Sequence, residues 1–144
     1  MTKTRSIKKS EINPEWHILD ATGVRLGKLA TKAASLLIGK HKTNKADNMP
    51  SGDKVVIINS KLVDVHKRKL TGKKYYSHSG YIGGLKELDL EEMMKRFPNR
   101  VIEKAVKGML PKNKLGRALY TNLYVYEDAN HPHDGQDPKE LEIK

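Results

Sequence analysis

Four consecutive apolar β-branched residues, Val55-Val56-Ile57-Ile58, restrict the possible folds more than any other feature of this chain. Side chains alternate faces along a strand, so a run that is apolar at every position must be covered on both sides, as in a parallel sheet. Upstream, Trp16-His17-Ile18-Leu19 reads as a short strand, and Asp20-Ala21-Thr22-Gly23 as a turn with capping side chains. Between the two strands Leu26, Leu29, Ala30, Ala33 and Leu37 recur at helical spacing, with Arg25, Lys28 and Lys32 on the opposite side. This predicts a helix over 25–38, stopped at Gly39. Strand, helix and apolar strand make a right-handed βαβ unit. Lys40 to Asp53 is a long polar connection containing Pro50 and Gly52.

The rest of the chain continues the α/β pattern. Leu62, Val63 and Val65 extend the apolar patterning, and Tyr75-Tyr76 suggests a further strand in a stretch, 66–86, that otherwise reads as loop. Asp89 can cap a helix carrying Leu90, Met93, Met94 and Phe97, which Pro98 ends while starting the next. That next helix holds Val101, Ile102, Ala105 and Met109, and Pro111 stops it. Leu115, Ala118 and Leu119 suggest a further turn or two, and Leu123-Tyr124-Val125-Tyr126 a last strand. The expected architecture is a single α/β domain with three layers, α/β/α, around a short, mainly parallel sheet of about four strands. It divides into a basic N-terminal tail at 1–13, an α/β domain at 14–126 and an acidic extended C-terminal tail at 127–144.

Charge narrows the function. Lys and Arg total 28 and Asp and Glu 17, a net +11. Residues 127–144 hold six acids and two bases, a balance of −4, which leaves +15 on the remainder. Such an excess repels itself unless a polyanion offsets it. Nucleic acid is the first candidate, anionic membrane the second, and a merely solvated basic surface the plain alternative. No apolar run approaches the roughly 20 residues of a membrane helix, and Met1 to Ser10 has no apolar stretch of a secretory signal. The expectation is a soluble protein with no membrane partner. The absence of cysteine removes disulfide scaffolds, thiolate catalysis and cysteine-based zinc sites, and suits a reducing cytoplasm.

Enzyme motifs are incomplete. Gly23-Val24-Arg25-Leu26-Gly27-Lys28 lies where a phosphate-binding P-loop would, but its glycines are one residue too close and Leu29 replaces the magnesium-binding hydroxyl. The plain reading is a helix start with Lys28 exposed. His131-Pro132-His133, near Asp128 and Asp134, hints at a metal but reads more simply as a rigid turn. Ser77-His78-Ser79 has adjacency without triad geometry. No catalytic residue, metal site, cofactor or small-molecule substrate is expected.

Three basic segments carry the binding expectation. The first is Lys40, His41, Lys42 and Lys45. The second is Lys67, Arg68, Lys69, Lys73 and Lys74, followed by His78 and Tyr81. The third is Lys107, Lys112, Lys114 and Arg117, with Lys104 beside them and no acid between. Lys outnumbers Arg 22 to 6, which favours phosphate and shape contacts over forked base readout. Loops rich in Lys, Gly, His and Tyr suit folded RNA, whose unstacked bases lie on aromatic rings. Two rivals remain: a nucleotide-dependent enzyme built on the Gly23–Lys28 segment, and a regulator that binds messenger RNA away from any large particle.

At these segments the chain closely resembles the thirteenth large-subunit ribosomal protein family, bacterial type. The most specific block is Ala105-Val106-Lys107-Gly108-Met109-Leu110-Pro111-Lys112-Asn113-Lys114-Leu115-Gly116-Arg117. Asp20-Ala21-Thr22-Gly23, Leu26-Gly27-Lys28-Leu29-Ala30, Gly52-Asp53-Lys54-Val55-Val56-Ile57-Ile58-Asn59 and His78-Ser79-Gly80-Tyr81 also match, so the resemblance runs from Trp16 to Pro138. Ile82 and Glu127-Asp128 depart from it, where the family commonly has proline and glycine. The resemblance implies a structural constituent of the large ribosomal subunit, present once per ribosome in the cytoplasm. It implies binding to 23S-type rRNA, a role in early subunit assembly, and the third and twentieth large-subunit proteins as neighbours.

Overall fold

The computed structural model describes residues 6–143, so the first five residues of the expected basic tail and Lys144 lie outside it. Strand β1 (Trp16–Asp20) leads through helix α1 (Leu26–Ile38) to strand β2 (Lys54–Ile58). A flank follows, made of helix α2 (Lys67–Gly72) and an antiparallel hairpin of β3 (Lys74–His78) and β4 (Leu85–Asp89). Helices α3 (Leu90–Arg96), α4 (Pro98–Met109) and α5 (Lys114–Tyr120) lead to β5 (Leu123–Val125), and a short β6 (Lys139–Glu140) comes last. The main sheet is parallel, in the order β5-β2-β1-β6, with His17 opposite Val55, Leu19 opposite Ile57 and Ile57 opposite Val125.

The fully apolar run behaves as its pattern demands: Val55, Val56 and Ile57 are all fully buried. Register divides the sheet into two faces. His17, Leu19, Val55, Ile57, Leu123 and Val125 share one face, where Leu19, Val55 and Ile57 form a continuous core with Leu29, Ala33 and Leu37 of α1 and Ile102 and Val106 of α4. Trp16, Ile18, Val56 and Tyr124 share the other.

The layers on the two faces of the sheet are built differently. The crossovers β1-α1-β2 and β2-α4-α5-β5 step across the sheet in the same direction, so right-handed connections lay their helices on one face. Only the return from β5 to β6 steps back, and it is a strap with a single 3-10 turn at Asp134–Gln136. His133 of this strap packs on Trp16 and Tyr124 with ring centroids 4.9 and 4.6 Å away. The segment expected as an extended acidic tail thus covers the second face, then pairs Lys139 with His17 and Glu140 with Ile18.

A smaller cluster of Leu90, Met93 and Val101 sits under the hairpin, with half-buried Tyr75 and Leu88 against it. The helical spacing placed Met109 with the core of α4, but Val106 takes that role and Met109 is 44% exposed at the helix end.

Candidate nucleic-acid interface

The first basic segment sits on a loop fastened at both ends to α1. Gly39 takes φ 78°, ψ 30°, and the amide of Lys40 donates to the Ser35 carbonyl, closing the helix. Gly52 passes so close beneath the helix end that a Cβ there would lie 1.7 Å from the Leu37 carbonyl oxygen. Asp53 follows, fully buried, its amide donating to the Leu36 carbonyl. Its Oδ1 accepts from the Glu15 amide at 2.9 Å and from Lys42 Nζ at 2.5 Å. Its Oδ2 lies 3.0 Å from His17 Nε2 and 2.7 Å from His41 Nε2. An ionised carboxylate only accepts, so both imidazoles present Nε2–H to it. Burial pushes the Asp53 pKa up, but the bonds from Lys42, the Glu15 amide and His17 outweigh it and hold the carboxyl below its ordinary value.

Among the described residues, His17, His41 and Asp53 are the group with metal-ligand spacing. The surroundings oppose that use. Lys42 already holds one carboxylate oxygen, and His17 Nδ1 is buried with no partner. A cation on Nε2 would force a proton onto that Nδ1, with nothing to accept it. The cluster is a pin that closes the loop. His41 and Lys42 therefore point inward, Lys45 reaches Asp47 at 2.5 Å, and Lys40 is exposed with no acidic partner among the described residues.

The second segment behaves differently. Lys67, Arg68 and Lys69 lie exposed on α2, started by His66, whose Nδ1 accepts from the Arg68 amide. None of the three has an ion-pair partner among the described residues. Lys74 is tied to Glu87 across the hairpin. Lys73 Nζ sits 5.3 Å over the Tyr75 ring and Lys104 Nζ 4.9 Å over the same ring. Tyr76 is exposed, and the hairpin tip projects Tyr81 at 80% exposure, with the His78 Nδ1 accepting from the Gly80 amide.

In the third segment Lys107 stands on α4 with its Nζ 5.6 Å over Tyr120, Lys112 on the connection, and Lys114 and Arg117 on α5. Asn113 caps α5, its Oδ1 accepting from the Gly116 amide at 2.8 Å. These four cations also lack acidic partners among the described residues.

The fold then brings together cations that are far apart in the sequence. A groove of about 730 Å³ runs between the start of α1, α2 and the end of α4. Its rim carries Arg25, Lys28, His66, Lys69, Lys73 and Lys104, and Asp64 is its one acid. Arg25 and Lys28 come from the near-match to a P-loop. That segment makes no phosphate cradle, because the Gly23 and Leu26 amides donate to the carbonyls of Leu62 and Asp64. The plain reading of Lys28 as an exposed residue at a helix start is correct, and it missed only what that exposure faces. His131-Pro132-His133 is a structural turn: Tyr126 Oη and His133 Nε2 lie 2.8 Å apart.

Comparison with known proteins identifies relatives along nearly the whole chain. The family model for ribosomal protein L13 matches residues 14–132. The large ribosomal subunit protein uL13 of Ectopseudomonas mendocina (strain ymp) is 50% identical over 141 residues, which covers 98% of this chain and 99% of that protein. The uL13 proteins of Stutzerimonas stutzeri (strain A1501) and Nitrosococcus oceani are 49% and 48% identical over the same length.

Proposed function

The chain belongs to the ribosomal protein L13 family and is a structural constituent of the large ribosomal subunit, not an enzyme; from that premise we propose that it binds 23S-type rRNA through its basic segments and acts early in subunit assembly. The observation that carries the reading is uncompensated charge. Lys40, Lys67, Arg68, Lys69, Lys107, Lys112, Lys114 and Arg117 are exposed cations with no acidic partner among the described residues. A protein surface that meant only to be solvated would gain from interspersed acids, as the Glu91–Lys95 and Glu92–Arg96 pairs on α3 do. A polyanion completes the surface instead.

In this reading Lys73, Lys74, His78 and Tyr81 extend the contact along the hairpin. Lys42, His41 and Lys45 shape the loop that presents Lys40. The body at 14–126 carries the RNA contacts; the acidic strap at 127–138 lies on the Trp16 and Tyr124 face of the sheet, and Glu142 returns beside Lys28 and Lys32. The neighbours are other large-subunit proteins, the third and twentieth among them, with one copy of this chain per cytoplasmic ribosome.

Binding of the purified protein to large-subunit rRNA tests the proposal. The log of the affinity should fall linearly with log salt, by about 0.7–0.9 per phosphate neutralised. Equal binding at low and high salt would remove the mechanism.

A further inference from the structure

The groove between α1, α2 and α4 holds more than a rail of charge needs. A strip that neutralises duplex phosphates requires only cations at its surface. Here a basic rim surrounds an apolar floor built from Leu26, Val65, Ala105 and Met109. The floor is open because two lining positions, Gly27 and Gly108, lack side chains, and a Cβ built at either would meet nothing within 4 Å. Met109 is 44% exposed there, its sulfur 3.6 Å from the Thr31 Oγ1, which donates to the Gly27 carbonyl. Thioether and aliphatic surface suits the flat face of a base, and a phosphate gains nothing from it. The volume, about 730 Å³, is within the range of small-ligand sites, roughly 300–1,000 Å³. Of the rim cations, Arg25 has Asp64 at 3.9 Å, both exposed, and Lys28 shares a neighbouring hollow with Glu142; no other ion pair ties the rim among the described residues.

We infer that this groove takes one unstacked nucleotide of the bound RNA, its base against the Ala105–Met109 floor and its flanking phosphates on Lys28, Lys69, Lys73 and Lys104. The inference rests on the RNA-binding reading and sharpens it from charge neutralisation to a discrete pocket.

Gly108→Leu separates the two. It leaves every charge in place, fills the floor, and replaces a glycine in the last turn of α4, where an added Cβ meets nothing, by a better helix former, so folding is not at risk. The expected result is unchanged or raised thermal stability, an affinity for large-subunit rRNA transcript lowered about tenfold, and an unchanged salt slope. Lys69→Gln with Lys104→Gln should lower affinity and flatten the salt slope together. Acylation probing of rRNA 2′-hydroxyls in particles assembled with wild-type protein should show one nucleotide whose protection disappears with Gly108→Leu.

Wild-type affinity and footprint for Gly108→Leu, alongside salt-dependent binding by the wild type, would overturn the pocket and leave the RNA reading standing. A wild type whose rRNA binding ignores salt would overturn both. Saturable binding of free AMP that Gly108→Leu abolishes, with rRNA binding untouched, would assign the groove to a free nucleotide and overturn the inference.

Discussion

Lys42 and Lys67 are the same residue type in two regions that use charge in opposite ways. Lys42 is bent inward at 16% side-chain exposure onto a carboxylate that already holds two imidazoles and a backbone amide. Lys67 stands exposed on α2, and no acid of the described chain answers it. Around Asp53 the positive groups are consumed in holding the chain together. On the flank formed by α2 and the hairpin they are left over. Asp53, the one buried acid among the described residues, is used for structure, and the cations left for the proposed binding are those that the fold does not need.

Substitutions on each side should therefore fail in different ways. The largest effect belongs to Asp53→Ala, which leaves Lys42 and two imidazoles without their acceptor in a buried site. The expected loss is about 3–5 kcal/mol of stability, a fall in Tm on the order of 10 °C in calorimetry. On the other side, Lys67→Gln, Arg68→Gln and Lys69→Gln together should leave Tm nearly unchanged. In a filter-binding titration they should lower rRNA affinity on the order of tenfold and reduce the salt slope by about 2. A comparable drop in Tm would erase the contrast between the regions.

Acid sharpens the same contrast. The Asp53 carboxyl is held below its ordinary value, so it contributes stability above its unfolded pKa, about 3.9, and loses that contribution as pH falls through the lower folded value. Denaturant midpoints measured from pH 5 downward should fall in the wild type and fall less in Asp53→Asn, whose stability starts lower. Parallel curves would show that Asp53 does not titrate as its partners require. The smallest effect belongs to Lys95→Ala on α3, whose pair with Glu91 is an exposed helical one. It should change stability by less than about 0.5 kcal/mol and leave rRNA affinity where it was.

Much of the scaffold was legible because its apolar periods are strong. The runs at Trp16–Leu19, 25–38 and Val55–Ile58 gave β1, α1 and β2 within a residue or so, and the proline punctuation gave α3 and α4. Strand β4 was not legible. Leu85-Lys86-Glu87-Leu88-Asp89 runs straight into the helical Leu90-Glu91-Glu92, and it is extended because β3 pairs with it, with Tyr76 opposite Glu87. Helix α2 is six residues long, too short to show a period, and β6 is two residues held by the edge of β1. The candidate site was legible as a set of segments but not as a surface. Nothing in Lys40-His41-Lys42 says that two of the three turn inward, since the cause is one carboxylate more than ten positions downstream. The groove joins residues from Arg25 to Met109, and only the packing of α1 against α4 makes them neighbours.

The one-sided placement of the helices has a consequence for how the molecule meets its target. The strap at 127–138 carries four carboxylates and no lysine or arginine, and it lies across the face of the sheet opposite α1 and α4. Lys61 pairs with Glu127 and Asp128, so the strap's net charge is smaller than its four carboxylates, but set against the surplus cations of α2 and α5 it would still give the molecule a moment. With the RNA partner proposed above, that moment would turn the strap outward before contact, so that encounters become productive at long range rather than by trial. At low ionic strength the orientation is strongest, and added salt weakens it along with the attraction.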